Sequence, residues 1–182
     1  MTKVAVLLAN GFEEIEALTV VDVLRRANIS CHMLGFAQVV TGSHGISVQA
    51  DYLWEGSLDD YDMVVLPGGM PGSANLRDNQ DLINALAKMQ VNDKWLAAIC
   101  AAPIALDKAG VLKGKKFTCY EGVQESIADG CYQKETVVTD GKLITSRGPS
   151  TALAFAYTLV EKLGGDAETL RQSMLYADVF GT

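Results

Sequence analysis

The 182-residue sequence has no CxxC pair, only two histidines (His32 and His44), no basic tract beyond Lys113, Lys115 and Lys116, and no long apolar run. Each absence removes a class of function. Four cysteines (Cys31, Cys100, Cys119 and Cys131) without CxxC spacing fit neither a zinc site nor a disulfide framework, so reduced thiols are expected. Two scattered histidines without an HxxxH pair give no ligand cluster, and no metal is expected. The absence of GxSxG leaves a Ser-His-Asp hydrolase unsupported. A formal net charge of -7 with one short lysine run, read as a solvated turn, offers a polyanion nothing to bind, so no nucleic-acid partner is expected. The longest uncharged apolar stretch, Trp95 to Leu106, falls short of the ~20 residues of a membrane span and contains Pro103. The first apolar run, Val4 to Ala9, is followed by Gly11-Phe12-Glu13-Glu14 and not by a small-residue cleavage pattern. It reads as a strand, and a soluble, cytoplasmic chain is expected.

What remains is an ordinary globular composition, 49% hydrophobic and 20% charged, enough to build one sizeable core. No repeat, low-complexity tract or linker divides residues 1–182, so a single domain is expected. Short β-rich runs alternate with longer helical patterns, the pattern of a parallel sheet covered on both faces, and the fold class is α/β. Strands are expected at Val4–Ala9, Ser30–Leu34, Met63–Leu66, Trp95–Ile99, Lys116–Cys119, Thr136–Val138 and Leu143–Thr145. Helices are expected at Glu14–Ala27, Gln80–Val91, Ala101–Ala109, Ser150–Leu163 and Ala167–Tyr176, with a small antiparallel excursion on the sheet edge between Phe36 and Asp51.

Such sheets place their chemistry at the carboxyl ends of strands. Four unusual loops stand there: Asn10 to Glu16, Leu66 to Gly72, Cys100 to Pro103, and Thr145 to Ser150. Cys100 lies at a strand-to-helix junction, where backbone N–H groups and the helix dipole favour thiolate over thiol. A small buried hydrophobe is the alternative reading. Glu16 lies one, two and three turns before Val20, Val23 and Ala27, on a side otherwise apolar. It is either a first-turn acid complementing the helix dipole, as Glu13 and Glu14 are, or a desolvated carboxyl with a raised pKa pointing into a cleft. Gly68 and Gly69 permit φ > 0 and a backbone N–H aimed at a reacting oxygen; a phosphate cradle is unsupported without a Walker Lys-Ser/Thr or GxGxxG spacing, and a plain tight turn stays open. Arg147-Gly148-Pro149 is a helix start signal with Pro149 in the first turn, and Arg147 either orients a site or pairs with an acid.

Taken together, Gly11-Phe12-Glu13-Glu14-Ile15-Glu16, Val65-Leu66-Pro67-Gly68-Gly69, Ala97 to Pro103 and Thr145-Ser146-Arg147-Gly148-Pro149 resemble the ThiJ/PfpI superfamily, in the branch of the parkinsonism-associated protein deglycase. The resemblance runs from Val4 to about Tyr176. It implies a flavodoxin-like three-layer sandwich, commonly homodimeric, that works without a cofactor. By resemblance the nucleophile falls on Cys100, its protonated glutamate partner on Glu16, and the oxyanion-binding amides on Gly69 and Ala101, with Gly68, Ser146, Arg147 and Pro149 in support. Many members place a histidine after the strand that ends here at Cys119, but this chain has Cys119 and Tyr120, which argues against a histidine-assisted mechanism. His44 falls in the excursion that resembles the family's dimer-contact region, so Cys119, Tyr120 and His44 are the candidates for a third member. The expected function is detoxification of small 2-oxoaldehydes, or repair of the glycated proteins they form. The alternative is a stress sensor or chaperone working through oxidation of Cys100, and cysteine peptidase activity ranks lower for want of a histidine base.

Overall fold

The first strand sets the architecture. In β1 (Lys3–Leu8), Val4, Val6 and Leu8 face one side of the sheet and Ala5 and Leu7 the other, and all five are fully buried, so the strand needs cover on both faces. The computed structural model, which describes residues 2–181, supplies it. After β1 come α1 (Glu14–Arg26), β2 (Ser30–Gly35), β3 (Val39–Thr41), β4 (Ser47–Gln49), β5 (Tyr52–Leu53) and β6 (Met63–Leu66). The chain continues through α2 (Gly72–Asp78), α3 (Gln80–Val91), β7 (Trp95–Ile99), α4 (Pro103–Lys108), β8 (Lys116–Phe117) and β9 (Cys131–Tyr132). It closes with β10 (Val137–Asp140), β11 (Leu143–Ser146), α5 (Ala152–Lys162), α6 (Ala167–Ser173) and α7 (Tyr176–Phe180), plus 3-10 turns at Val123–Ser126 and Pro149–Thr151.

The central sheet has the order β10-β11-β7-β6-β1-β2-β5 and is parallel except for the β10–β11 hairpin at one edge. Its core order β2-β1-β6-β7-β11 is that of a flavodoxin-like α/β sandwich. On one face, Val20, Val23 and Leu24 of α1 and Phe155, Leu159 and Val160 of α5 pack on Val4, Val6, Met63 and Ile99. On the other, Leu76 of α2, Leu82 and Leu86 of α3 and Leu106 of α4 pack on Leu7, Val64, Leu66 and Leu96. The expected fold class is therefore the observed one, and the residues of β1, β6 and β7 that read as unbroken apolar runs do so because both of their faces are covered.

Several local expectations change. The segment Lys116–Cys119 stops being a strand at Phe117 and pairs with β9 as a separate ribbon, because the Thr118 N–H donates to Thr145 Oγ1 (2.8 Å) and the Tyr120 N–H to the Cys100 carbonyl (2.9 Å). The excursion between Phe36 and Asp51 is a hairpin, but β3 and β4 pair only with each other, and the edge of the main sheet is the unexpected β5. Helix α2, which is not among the expected helices, starts at Gly72, where the Leu66 to Gly72 loop ends, and buries Leu76 beneath it. The helix expected from Ala101 begins at Pro103, after the turn at Cys100. The last expected helix ends at Ser173, and a further short helix, α7, begins at Tyr176 after Leu175, whose φ is +60°. Among the described residues no helix is long and apolar enough to cross a membrane.

Candidate active site

β1, β6, β7 and β11 are neighbours in the sheet, so the four loops singled out above converge at its carboxyl end. Cys100 follows β7 directly and has φ +64°, a left-handed conformation that costs an L-residue about 1–2 kcal/mol. Hydrogen bonds on every side hold it there. Its N–H donates to the Ser146 carbonyl (3.1 Å), its own carbonyl accepts from Tyr120 N–H (2.9 Å), and the Ala102 N–H closes back on the Ile99 carbonyl (3.1 Å). The result is a sharp elbow with the half-buried thiol at its tip, where the backbone N–H groups of Gly69 and Ala101 favour the sulfur anion.

Glu16 reaches the same place from the first turn of α1. That turn is capped by Glu13, whose carboxylate accepts from the Glu16 N–H (3.2 Å), so the acids of this segment have separate tasks. Glu16 is completely buried, and its Oε2 accepts from the Gly68 N–H at 2.8 Å. Gly68 separates carboxyl from thiol: a Cβ on it would lie 2.5 Å from Glu16 Oε2, 2.5 Å from Cys100 Cβ and 3.0 Å from Cys100 Sγ. Gly69 is equally constrained, with φ +87° and no room for a Cβ, which would fall 2.4 Å from Glu13 N. Neither position admits a side chain, so the glycine pair is what lets the backbone pass between the two acidic groups.

Burial pushes Glu16 up to about 7, against the bonds from Cys100 and Gly68, with the nearby Glu13 charge adding to the rise. Burial also pushes the Cys100 thiol up, to about 12, reinforced by the charge on Glu16 and opposed by the Gly69 and Ala101 amides. Glu16 Oε1 is buried with no hydrogen-bond donor of ordinary geometry. Two acids so placed cannot both ionise cheaply, so over a wide interval above neutrality the pair carries one proton between them.

The residues after β11 form the other wall. Ser146 is fully buried; its Oγ donates to the Thr136 carbonyl and lies 2.7 Å from Thr151 Oγ1. Thr151, which the sequence did not single out, accepts from the N–H groups of Arg147 (3.2 Å) and Gly148 (3.1 Å) and so fixes this loop. Pro149 opens the 3-10 turn. Arg147 pairs through Nη2 with Glu121 (2.6 Å), the acid that sequence reasoning left unnamed, and Tyr120 with half its surface exposed lies against Gly148. Cys119 is buried in the adjoining ribbon, and burial raises its thiol to about 11.

His44 does not join Cys100. It sits in the β3–β4 turn, with Nδ1 3.0 Å from Glu14 Oε2 and 3.7 Å from Glu13 Oε1. The Glu14 Oε1 accepts from the N–H groups of His44 (2.8 Å) and Ile46 (3.4 Å). Burial opposes this charge, but the His44 ring and these backbone donors outweigh it and hold Glu14 at about 2. Glu13, Glu14 and His44 bring three ligand-type atoms within 4.8 Å of one another, the one such group among the described residues, and the oxygens of Glu14 already have donors.

Against known proteins, residues 2–162 match the model of the DJ-1/PfpI family. The chain is 38% identical over 175 residues to protein DJ-1 homolog B of Arabidopsis thaliana, covering 94% of this chain but only 40% of that longer relative. It thus spans less than half of the plant relatives it matches. It is 33% identical to deglycase PfpI of Pyrococcus furiosus over 88% of this chain and 99% of that one. The crystal structure of Drosophila melanogaster DJ-1beta superposes with a TM-score of 0.91 at 38% identity, covering 96% of this chain and 98% of that chain.

Proposed function

This chain belongs to the DJ-1/PfpI family, and from that premise we propose that it is a cofactor-independent enzyme that converts small 2-oxoaldehydes to 2-hydroxy acids through Cys100. One observation carries the reading: a thiol on a strained elbow faces a fully buried glutamate across Gly68. The reactive form is thiolate beside carboxylic acid. Cys100 Sγ attacks the aldehyde carbon, a C–S bond forms, and the carbonyl electron pair moves onto an oxygen held by the Gly69 and Ala101 N–H groups. The Glu16 proton passes to that oxygen. The resulting carboxylate removes the hydrogen from the former aldehyde carbon as a proton, giving an enediolate, and returns it to the neighbouring carbon while the proton on the first oxygen passes to the second. The product of that transfer is a thioester on Cys100, which water hydrolyses to the 2-hydroxy acid and the free thiolate. For methylglyoxal the sum is one aldehyde plus one water to one lactate.

The same site would act on early glycation adducts by drawing on the aldehyde in equilibrium with them, and a homodimer is the assembly the reading assumes. Lactate formation from methylglyoxal in amine- and thiol-free buffer tests it. Wild type is expected to form lactate and Cys100→Ser to lose at least a thousandfold in rate. No lactate from either would refute the enzyme and favour a redox sensor whose sulfinate is stabilised by Glu16.

A further inference from the structure

Two hollows adjoin the loops around Cys100. One mixes polar and apolar surface and is lined by residues that include Tyr120, Glu121, Arg147 and Gly148. The other, of about 290 Å³, is lined by Met70, Ala101, Ile104 and Val123, with Arg77 and Lys108 at its rim. Its exposed lining is overwhelmingly apolar. The polar groups at its edge are mostly engaged elsewhere: Arg77 is paired with Asp78 at 2.7 Å, and the Asp107 carboxylate accepts from the Ala128 and Asp129 N–H groups. Ala101 belongs both to this hollow and to the thiol's setting, since it follows Cys100 directly and its N–H favours the sulfur anion. Met70 follows Gly69, the other amide, and is 57% exposed, an unbranched apolar side chain left in solvent at the mouth of the site.

We infer that this hollow receives the substituent of the electrophile attacked by Cys100, and that the chain favours 2-oxoaldehydes whose substituent is apolar and as large as a phenyl ring. The inference rests on the reaction proposed above and adds its substrate class. An aldehyde bound with its oxygen on the Gly69 and Ala101 amides has its carbon at the sulfur, and a substituent extending past Ala101 enters the space walled by Ile104, Val123 and Met70. A methyl group leaves nearly all of that space wet. A phenyl ring removes its own apolar surface and that of Met70 from water, worth at least about tenfold in kcat/KM at ~25 cal/mol per Å².

Two measurements separate the hollow from the chemistry. The first compares alkylation of Cys100 by N-phenyl iodoacetamide and by iodoacetamide, with sites resolved by peptide mass and the exposed Cys131 as internal reference. In both reactions thiolate displaces iodide, so the ratio of rates reports the substituent alone. The second compares kcat/KM for phenylglyoxal (to mandelate) and methylglyoxal (to lactate). The phenyl reagent is expected to gain about tenfold at Cys100 over its ratio at Cys131, and phenylglyoxal about tenfold over methylglyoxal. Met70→Ser and Val123→Ser should each cut both ratios about threefold. Equal alkylation ratios at the two cysteines, or ratios untouched by both variants, would overturn the inference. A phenyl preference in alkylation with no turnover of either aldehyde would keep the hollow and overturn the oxoaldehyde reaction.

Discussion

Cys100 is held in a backbone conformation that glycine adopts freely and other residues do not, and this gives a stability test unlike that of an ordinary cysteine. Cys100→Ala keeps the strain and loses the sulfur; Cys100→Gly relieves it. The glycine variant is expected to be more stable than the alanine variant by about 1 kcal/mol in chemical denaturation, the reverse of the usual order, and an alanine variant as stable or more so would show that the elbow is unstrained. The shared proton makes a second prediction. Alkylation of wild-type Cys100 should rise well below the value of about 12 to which burial and the Glu16 charge push the thiol, because in the reactive form the proton of the pair rests on the carboxyl. Glu16→Gln removes the carboxylic acid that stabilises the sulfur anion, so its midpoint should move to more alkaline pH. A wild-type rate that rises only toward 12 would mean that the sulfur never shares the charge. At this scale the sequence made Cys100 legible, since a strand-like run ends on it and a proline-led helix follows. Glu16 was less so: helical spacing puts it on an apolar side but cannot distinguish a capping acid from a buried one, and the distinction came from Glu13 taking the cap.

The β3–β4 hairpin shows what an element adds. It is tied to the loop that carries the acids by Gly11 N–H to Thr41 carbonyl (2.8 Å), Ser43 N–H to Phe12 carbonyl (2.7 Å) and the donors around Glu14. Glu14 has a folded-state pKa of about 2 against the ordinary 4.5, so its charge stabilises the fold above 4.5, and that contribution is lost as pH falls from 4.5 toward 2. His44 is raised above the ordinary 6.5 by its bond to Glu14, so its contribution is complete below 6.5 and lost as pH climbs through the raised value. Glu14→Gln should therefore cost on the order of 2 kcal/mol near pH 5.5. The gap in melting temperature from wild type should shrink toward pH 2 and narrow again on the alkaline side. A gap independent of pH would assign Glu14 to packing alone. None of this was readable from His44 in a glycine-flanked turn, because its partner lies 30 residues away. Helix α2 was hidden for a related reason: glycine and proline marked a loop locally, while the burial of Leu76 that organises the helix is a tertiary fact.

Over the whole molecule the legible part was the sheet. Runs such as Val4 to Leu8 and Met63–Leu66 announce strands covered on both faces, and alternation with helices announces parallel pairing. The edges were not legible, since β5 has two residues and the chain after β8 is held by bonds of Thr118 to Thr145 and of Tyr120 to Cys100 in place of a ladder. Convergence of the four loops follows from strand order, which sequence does not state: β11 lies next to β7 although more than forty residues part them.

That adjacency has a consequence in time. During synthesis the elbow residue emerges well before Ser146, whose carbonyl receives its N–H, and before Tyr120, whose N–H holds its carbonyl. A growing chain therefore carries Cys100 as an unremarkable cysteine, without enforced geometry, until β11 enters the sheet beside β7. On the function proposed above, a half-made protein would thus not yet carry its nucleophile in reactive geometry, because the ribosome delivers β11 last of the four strands.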